Sequence, residues 1–393
     1  MRHRQVLLVV IAVVSLLTSR TAGQERGPQT PPPDLAMAMA RLGSLDFPER
    51  MQAARVVRRT DATSVVPVLL QAAREHADGY VRFRALVLLT GFTDPRIADV
   101  MLDAAASPND RLREVAFGYF EQHPDAALAP RWLTALDGET GEFVRPALVR
   151  ALAAVASSQP EVRAALIRDA GRGVDYFRST VIEALGDYRI GEAVPTLLDV
   201  ATREGPLQDD AILALGRIGD RGALRTLAAL QRTGPETLQP TLAAAFCLLE
   251  QNCDRHIQYL RDVLGFAEGR TGYQELLRAA AAGLGALGAA GRTEALTALL
   301  AAGIPSRQDA LRAPAALALG LVALRDTPLV IATLESHADR AEAIRLLAEG
   351  FDMLEEDLEE ERFYVAVRRS YWSAPEGSVR RAVCDELIRR LEF

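Results

Sequence analysis

A few groups of side chains in this 393-residue chain have the types and spacing to do chemistry. Gly283-Leu284-Gly285-Ala286-Leu287-Gly288 fits G-x-G-x-x-G, in which glycines let a backbone turn cradle a pyrophosphate. That use needs a strand ahead of the motif and an acidic residue behind it. Here Leu277 to Ala282 reads as helix, so the glycines read as a repeat turn and close packing, and no cofactor is expected. Cys247 and Cys253 flank an expected turn between helices. In an oxidising compartment they could form a disulfide, and otherwise Cys247 is a small buried apolar residue. Cys384 has no evident partner. His76, His123, His256 and His337 are scattered without metal-ligand spacing. His256 and Cys253 would share a helix face, but two ligands do not make a metal site, and none is expected. The adjacent acids Asp209-Asp210 and Glu359-Glu360 point apart on a helix, so neither is a positioned acid–base pair. With no nucleophile elbow or phosphate loop, the sequence reads as a non-enzyme.

The elements that carry these residues read as helices. Apolar residues recur at spacings of three and four, and breaks at Gly, Asp, Pro or Ser fall every 12 to 18 residues. The breaks repeat. Ala184-Leu185-Gly186-Asp187 returns as Ala214-Leu215-Gly216, then as Ala286-Leu287-Gly288 and Ala318-Leu319-Gly320. Gly186 and Gly216 are 30 residues apart, and Gly288 and Gly320 are 32 apart. Arg82, Arg113, Arg145 and Arg178 sit early in successive first helices, at gaps of 31, 32 and 33. A fixed period of this length implies stacked helix pairs, because no pair buries both of its faces alone. The alanine is expected to bring the two helices of a pair together. The glycine is expected to end the first helix in a left-handed cap, and the aspartate to cap the next helix or its turn. Proline in the first turn of a second helix, as in Val194-Pro195 and Val66-Pro67, is expected to cost nothing.

These motifs resemble the HEAT repeat family, in the short bacterial form also found in phycobilisome lyase subunits. The resemblance covers about residues 35–390, clearest at 49–75, 174–232 and 273–335. Tetratricopeptide and ankyrin signatures do not recur. It implies an all-α fold: an α-α superhelix of roughly ten helix pairs, elongated and curved. It also implies binding along a groove lined by the second helix of each pair. Arg255, His256 and Tyr259, on one face of such a helix, are then candidate partner contacts. Phe117, Tyr119, Phe120 and Trp132 form a second candidate patch, although aromatic residues at helical spacing are more often core. Leu35–Leu45 and Ser378–Phe393 read as terminal caps. The acidic run Glu355–Glu361 reads as a solvated cap face, or else as a lure for a basic partner.

The first residues are expected to act as an address. Arg2 and Arg4, the apolar run Val6–Thr18 and the small residues Thr21-Ala22-Gly23 make the three parts of a signal peptide over residues 1–23. An uncleaved inner-membrane anchor is the alternative. Residues 24–33 are a Pro-rich linker ahead of a solenoid over 34–393. All 45 basic residues are arginine, and the net charge is −7. Loss of Arg2, Arg4 and Arg20 on cleavage would take that to −10, which argues against nucleic acid as a partner. The function expected is a periplasmic or extracellular scaffold for protein partners, with no membrane span after cleavage. The alternatives are an accessory or lyase-like subunit of an enzyme system, and a self-associating envelope element.

Overall fold

A computed structural model describes residues 33–393 except 251, 307, 308, 355 and 356. The expected signal peptide, and the linker up to residue 32, lie outside the described residues. α1 (Pro33–Arg41) leads into nine helix pairs. They are α2 (Phe47–Arg59) with α3 (Ala62–Glu75), α4 (Gly79–Leu89) with α5 (Arg96–Ala104), and α6 (Asp110–Gln122) with α7 (Ala129–Gly138). α8 (Val144–Val155) with α9 (Pro160–Ala170), α10 (Asp175–Asp187) with α11 (Val194–Ala201), and α12 (Gln208–Ile218) with α13 (Leu224–Thr233) come next. Then come α14 (Gln239–Glu250) with α15 (Asp254–Ala267), α16 (Gln274–Ala289) with α17 (Thr293–Gly303), and α18 (Asp309–Arg325) with α19 (Thr327–Ser336). α20 (Arg340–Phe351), α21 (Asp357–Ser373) and α22 (Val379–Arg390) end the chain, and no strand occurs among the described residues.

Local chemistry sets the breaks. Asp46, Asp61, Asp78, Asn109, Asp326 and Asp339 each accept a backbone N–H of the first turn of the helix they precede. Prolines open the second helices α7, α9, α11 and α19, where a missing N–H has no cost. The periodic arginines clamp the turn between pairs. Arg82 donates to the carbonyl of His76, Arg113 to that of Ser107 at 2.8 Å, Arg178 to that of Ala170 at 3.0 Å and Arg312 to that of Gly303 at 3.0 Å. They satisfy acceptors left over where the preceding helix ends. Arg145 departs from the series and stacks on Phe177, 3.7 Å from the ring centre.

The repeated glycines do something other than expected. Gly186, Gly216, Gly288 and Gly320 lie inside helices with ordinary negative φ; the left-handed glycines are Gly219 and Gly291, three residues further on. A Cβ on Gly186 would stand 2.7 Å from Cα of Ala214, and one on Gly216 would stand 2.9 Å from Cα of Ala245. Gly320 likewise meets the backbone of Gly350. The small residues therefore bring first helices of neighbouring pairs together, rather than the two helices of one pair. The expected left-handed cap is displaced to Gly219 and Gly291, because the close approach needs its bare Cα earlier.

Curvature arises from that spine. The first helices stand closer together than the second helices, so the array bends with the first helices inside. The bend is strong enough to bring distant pairs into contact. Asp187 at the end of α10 meets Arg325 at the end of α18 at 3.3 Å, although α12, α14 and α16 lie between them in the inner layer. α21 then returns against α2, α4 and α6. Arg58 of α2 pairs with Glu361, and Arg84 of α4 with Asp357. Leu358 fills the space a Cβ on Gly118 of α6 would need. The elongated body expected from the repeat is corrected: the array closes on itself. The groove expectation is corrected with it, since the first helices, not the second, line the concave side.

Candidate functional site: the hub and the closing seam

Two charged clusters mark the inside of the closed array. In the hub, Asp187 receives Arg150 of α8, Arg217 of α12 and Arg325 of α18 at 3.1, 3.1 and 3.3 Å. Arg150 also holds Glu121 at 2.8 Å, and the Tyr188 hydroxyl donates to the same carboxylate at 2.9 Å. Burial alone would raise the Asp187 carboxyl, but Arg325, Arg217 and Arg150 outweigh it and hold it below the usual range. Burial depresses Arg217, and repulsion from Arg325 and Arg150 adds to that against the attraction of Asp187. Beside the hub, Arg189 takes φ 52, at the position occupied by glycine after α12 and α16. An aspartate expected to cap a turn thus joins four helices instead.

The closing seam is the second cluster. Arg58 and Glu361 are 3% and 1% exposed in their side chains and meet at 2.6 Å, with further bonds of 3.0 and 2.9 Å from the Arg58 Nε. Burial works against the Arg58 charge, but Glu361 outweighs it and the guanidinium is held above its ordinary value. Tyr364 lies under Arg58, with the guanidinium 5.0 Å from its ring centre, and Phe393 stacks on Tyr364 at 4.2 Å. Arg368 donates to the carbonyl of Arg58, and Arg55 donates to the carbonyl of Glu392 at 2.7 Å. The acidic run expected to be a solvated cap is corrected here. Asp357, still half exposed, and Glu361 meet Arg84 and Arg58 of the same chain, while Glu359 and Glu360 bond to Arg362 and Tyr364 within α21; residues 355 and 356 lie outside the described residues.

The structure separates the residues singled out from the sequence. Arg255 and Tyr259 are exposed on α15, in the outer layer, while His256 turns inward at 7% exposure and stacks on Phe246. Arg255 holds Glu250 at 2.6 Å and donates to Nε2 of His256 at 3.1 Å. The three therefore form no common exposed face. Burial, with Arg255 beside it, pushes the His256 imidazole below its usual value. Cys247 and Cys253 are joined as a disulfide that ties the end of α14 to the start of α15, with Cα atoms 4.4 Å apart. Burial raises the Cys384 thiol to about 11, so it is no ready nucleophile. Phe117, Phe120 and Trp132 are core, with Trp132 1% exposed. The G-x-G-x-x-G glycines lie inside α16, where Gly283 faces the Pro240 carbonyl and Gly285 faces Ala318. No group of three metal-binding side chains occurs among the described residues, and no described helix is long and apolar enough to cross a membrane.

Two surface features went unread in the sequence. First-helix N-termini share one edge of the array, and there Phe47, Phe143 and Tyr176 are 63%, 66% and 53% exposed. Tyr80 takes the same position in α4, and the Arg50 guanidinium lies 5.6 and 5.7 Å from the ring centres of Phe47 and Tyr80. Gaps of 33 between Phe47 and Tyr80, and again between Phe143 and Tyr176, were the available signal. A recess of about 450 Å³ also lies between α16 and α18, walled by Ala282, Ala313, Pro314, Leu317, Leu321 and Met353.

No protein-family model matches the chain, and no curated protein matches it. Among solved structures, it is similar to Kap95p in a complex with RanGDP, at 12% identity and a TM-score of 0.40. That match covers 91% of this chain and 56% of Kap95p, so the chain spans little over half the length of that protein. The complex of CpcE and CpcF of phycocyanin lyase from Nostoc sp. PCC7120 is similar at 19% identity and a TM-score of 0.25, over 87% of this chain and 100% of that one. Human deoxyhypusine hydroxylase is similar at 19% and 0.29, over 68% and 98%. By its own stacked helix pairs and their small-residue spine, the chain is a HEAT-like repeat solenoid, here closed through its last helices.

Proposed function

We propose that the protein is a non-enzymatic scaffold that binds other proteins, and that it works in the cell envelope or outside the cell. The observation that carries the binding reading is the edge row of Phe47, Phe143 and Tyr176. These rings recur with the repeat yet stay open to solvent. Rings this exposed bury little area within the fold, and exposed aromatic and arginine residues are what binding surfaces favour. The location rests on the basic, apolar and small-residue pattern of residues 1–23. The Cys247–Cys253 bridge supports it, because such bonds persist in oxidising compartments.

A photo-crosslinker at position 142, beside Phe143, tests the binding reading in cells. One discrete crosslinked partner is expected, and it should be lost in Phe143→Ser/Tyr176→Ser protein that folds normally. Crosslinking that the double substitution leaves unchanged, or none at all, rejects the reading. Mass spectrometry of the exported protein should find Gln24 as its first residue. An intact Met1 in the cytosol rejects the location.

A further inference from the structure

The seam is built differently from the small-residue spine between neighbouring first helices. Neighbouring first helices meet backbone to backbone over small residues, with ion pairs added at the hub and at Arg312–Glu349, whereas the groove across α2, α4 and α6 is filled by a helix held through charge and one notch. Arg58 and Arg84 are 4% and 8% exposed, and their ion pairs run to α21. On α6 Gly118 offers bare backbone, occupied by Leu358. Past them Gly91 leaves room for Val365. Without α21, two guanidiniums would stand half-desolvated beside an apolar notch. Water does not restore that state, because the notch stays apolar and the cations lose their buried partners. The groove therefore requires an occupant of one chemistry: an amphipathic helix carrying a carboxylate, a leucine beside it, a second carboxylate four residues after the first, and a small β-branched residue four further on. Asp357, Leu358, Glu361 and Val365 are that pattern.

We propose that this groove is a recognition site for a partner's acidic, leucine-bearing helix, and that α21 guards it in cis. The proposal rests on the scaffold reading and names one of its contact surfaces. Two observations make α21 displaceable. Its hold on the groove is Leu358, the half-exposed Arg84–Asp357 pair and the buried Arg58–Glu361 pair, whose net stabilisation is small because desolvation offsets its attraction, while its buried Phe363 packs on Phe351 and Phe393 at the chain's own end. A competing helix with the same carboxylates repays the same desolvation and leaves the arginines paired.

The probe is a fluorescent synthetic peptide of residues 357–373, titrated into the full chain by anisotropy. Asp357→Asn/Glu361→Gln weakens the guard and leaves the groove untouched. The peptide is expected to bind this variant at least tenfold more tightly than the native chain, and to lose that gain when Gly118→Leu fills the notch. Equal binding to all three proteins, or tight binding that survives Gly118→Leu, overturns the proposal. So does light scattering that shows the weakened variant to be a dimer exchanging α21 between copies. Should the variant fail to fold, hydrogen exchange on the native chain decides. Amides of α21 should exchange at least tenfold faster than those of α6, and equal protection overturns the proposal. Crosslinking at the Phe143 edge is independent of α21, so the groove can fail while the scaffold reading stands.

Discussion

Gly186 and Gly219 are both glycines near the end of a first helix, but they answer different demands. Gly186 keeps helical backbone and lets α12 approach, while Gly219 takes φ 83 just past α12. Substitution should separate them. Gly186→Ala puts a methyl group against the Ala214 backbone, and overpacking of that kind costs about 1–3 kcal/mol. Gly219→Ala strains a left-handed residue at about 1–2 kcal/mol. Asparagine tolerates the left-handed region, so Gly219→Asn should recover part of the loss in urea unfolding, whereas Gly186→Asn should be worse than Gly186→Ala. Titrating groups add a second expectation. The folded protein holds His256 below its free value, so the unfolded chain binds a proton first. Stability that is whole above about pH 6.5 should then fall as the pH drops towards the folded value, and His256→Gln should flatten that slope. Asp187 is also depressed. Its contribution is present above about pH 4 and is lost below it, as the pH falls through its folded value. Thermal melts from pH 8 to pH 3 read both.

At the scale of elements, the helices and their pairing were legible, because their signal is local and repeated. The arginine period was visible too, but its purpose was not. A carbonyl left over at the end of one helix has no sequence signature, so the clamp appears only when the turn is built. Arg312 shows how much such a clamp holds: it donates to the carbonyls of Gly303 and Ile304 and pairs with Glu349 at 2.6 Å. Arg312→Met keeps the aliphatic stem and removes these bonds. The expected loss is about 1.5–3 kcal/mol, the range for hydrogen bonds to charged groups. Hydrogen exchange should quicken first in the turn between α17 and α18, and a uniform change along the array would contradict a local clamp. The site was less legible than the fold. Choosing α15 as a groove helix assumed which layer faces inward, and that is set by relative spacing. The signal lay in the Ala-Leu-Gly motifs themselves. Residues that small crowd the first helices together, and the crowded layer of a bent array is its inside.

Closure was not legible at all, and the reason is distance along the chain. Arg58 and Glu361 are 303 residues apart, and neither has a neighbour that marks it as one half of a pair. Closure changes how the whole molecule should unfold. An open array is a row of units coupled to their neighbours, so its ends fray and its middle persists. Joining the ends couples α2 to α21 and removes the weakest places to begin. Arg58→Met leaves Glu361 buried without its cation, which costs about 3–5 kcal/mol for a broken buried pair. Arg58→Met/Glu361→Leu removes both charges and fills similar space, so it should return most of that loss. The two proteins should also differ in cooperativity. Native chain and double variant should each give a single urea transition with matching fluorescence and circular dichroism midpoints. In Arg58→Met the tryptophan signal should part from the helical signal, since Trp132 and Trp372 lie in separate stretches that the seam no longer couples. Coincident midpoints in the single variant would mean that the seam carries no share of the array's cooperativity, and that the ends meet without holding.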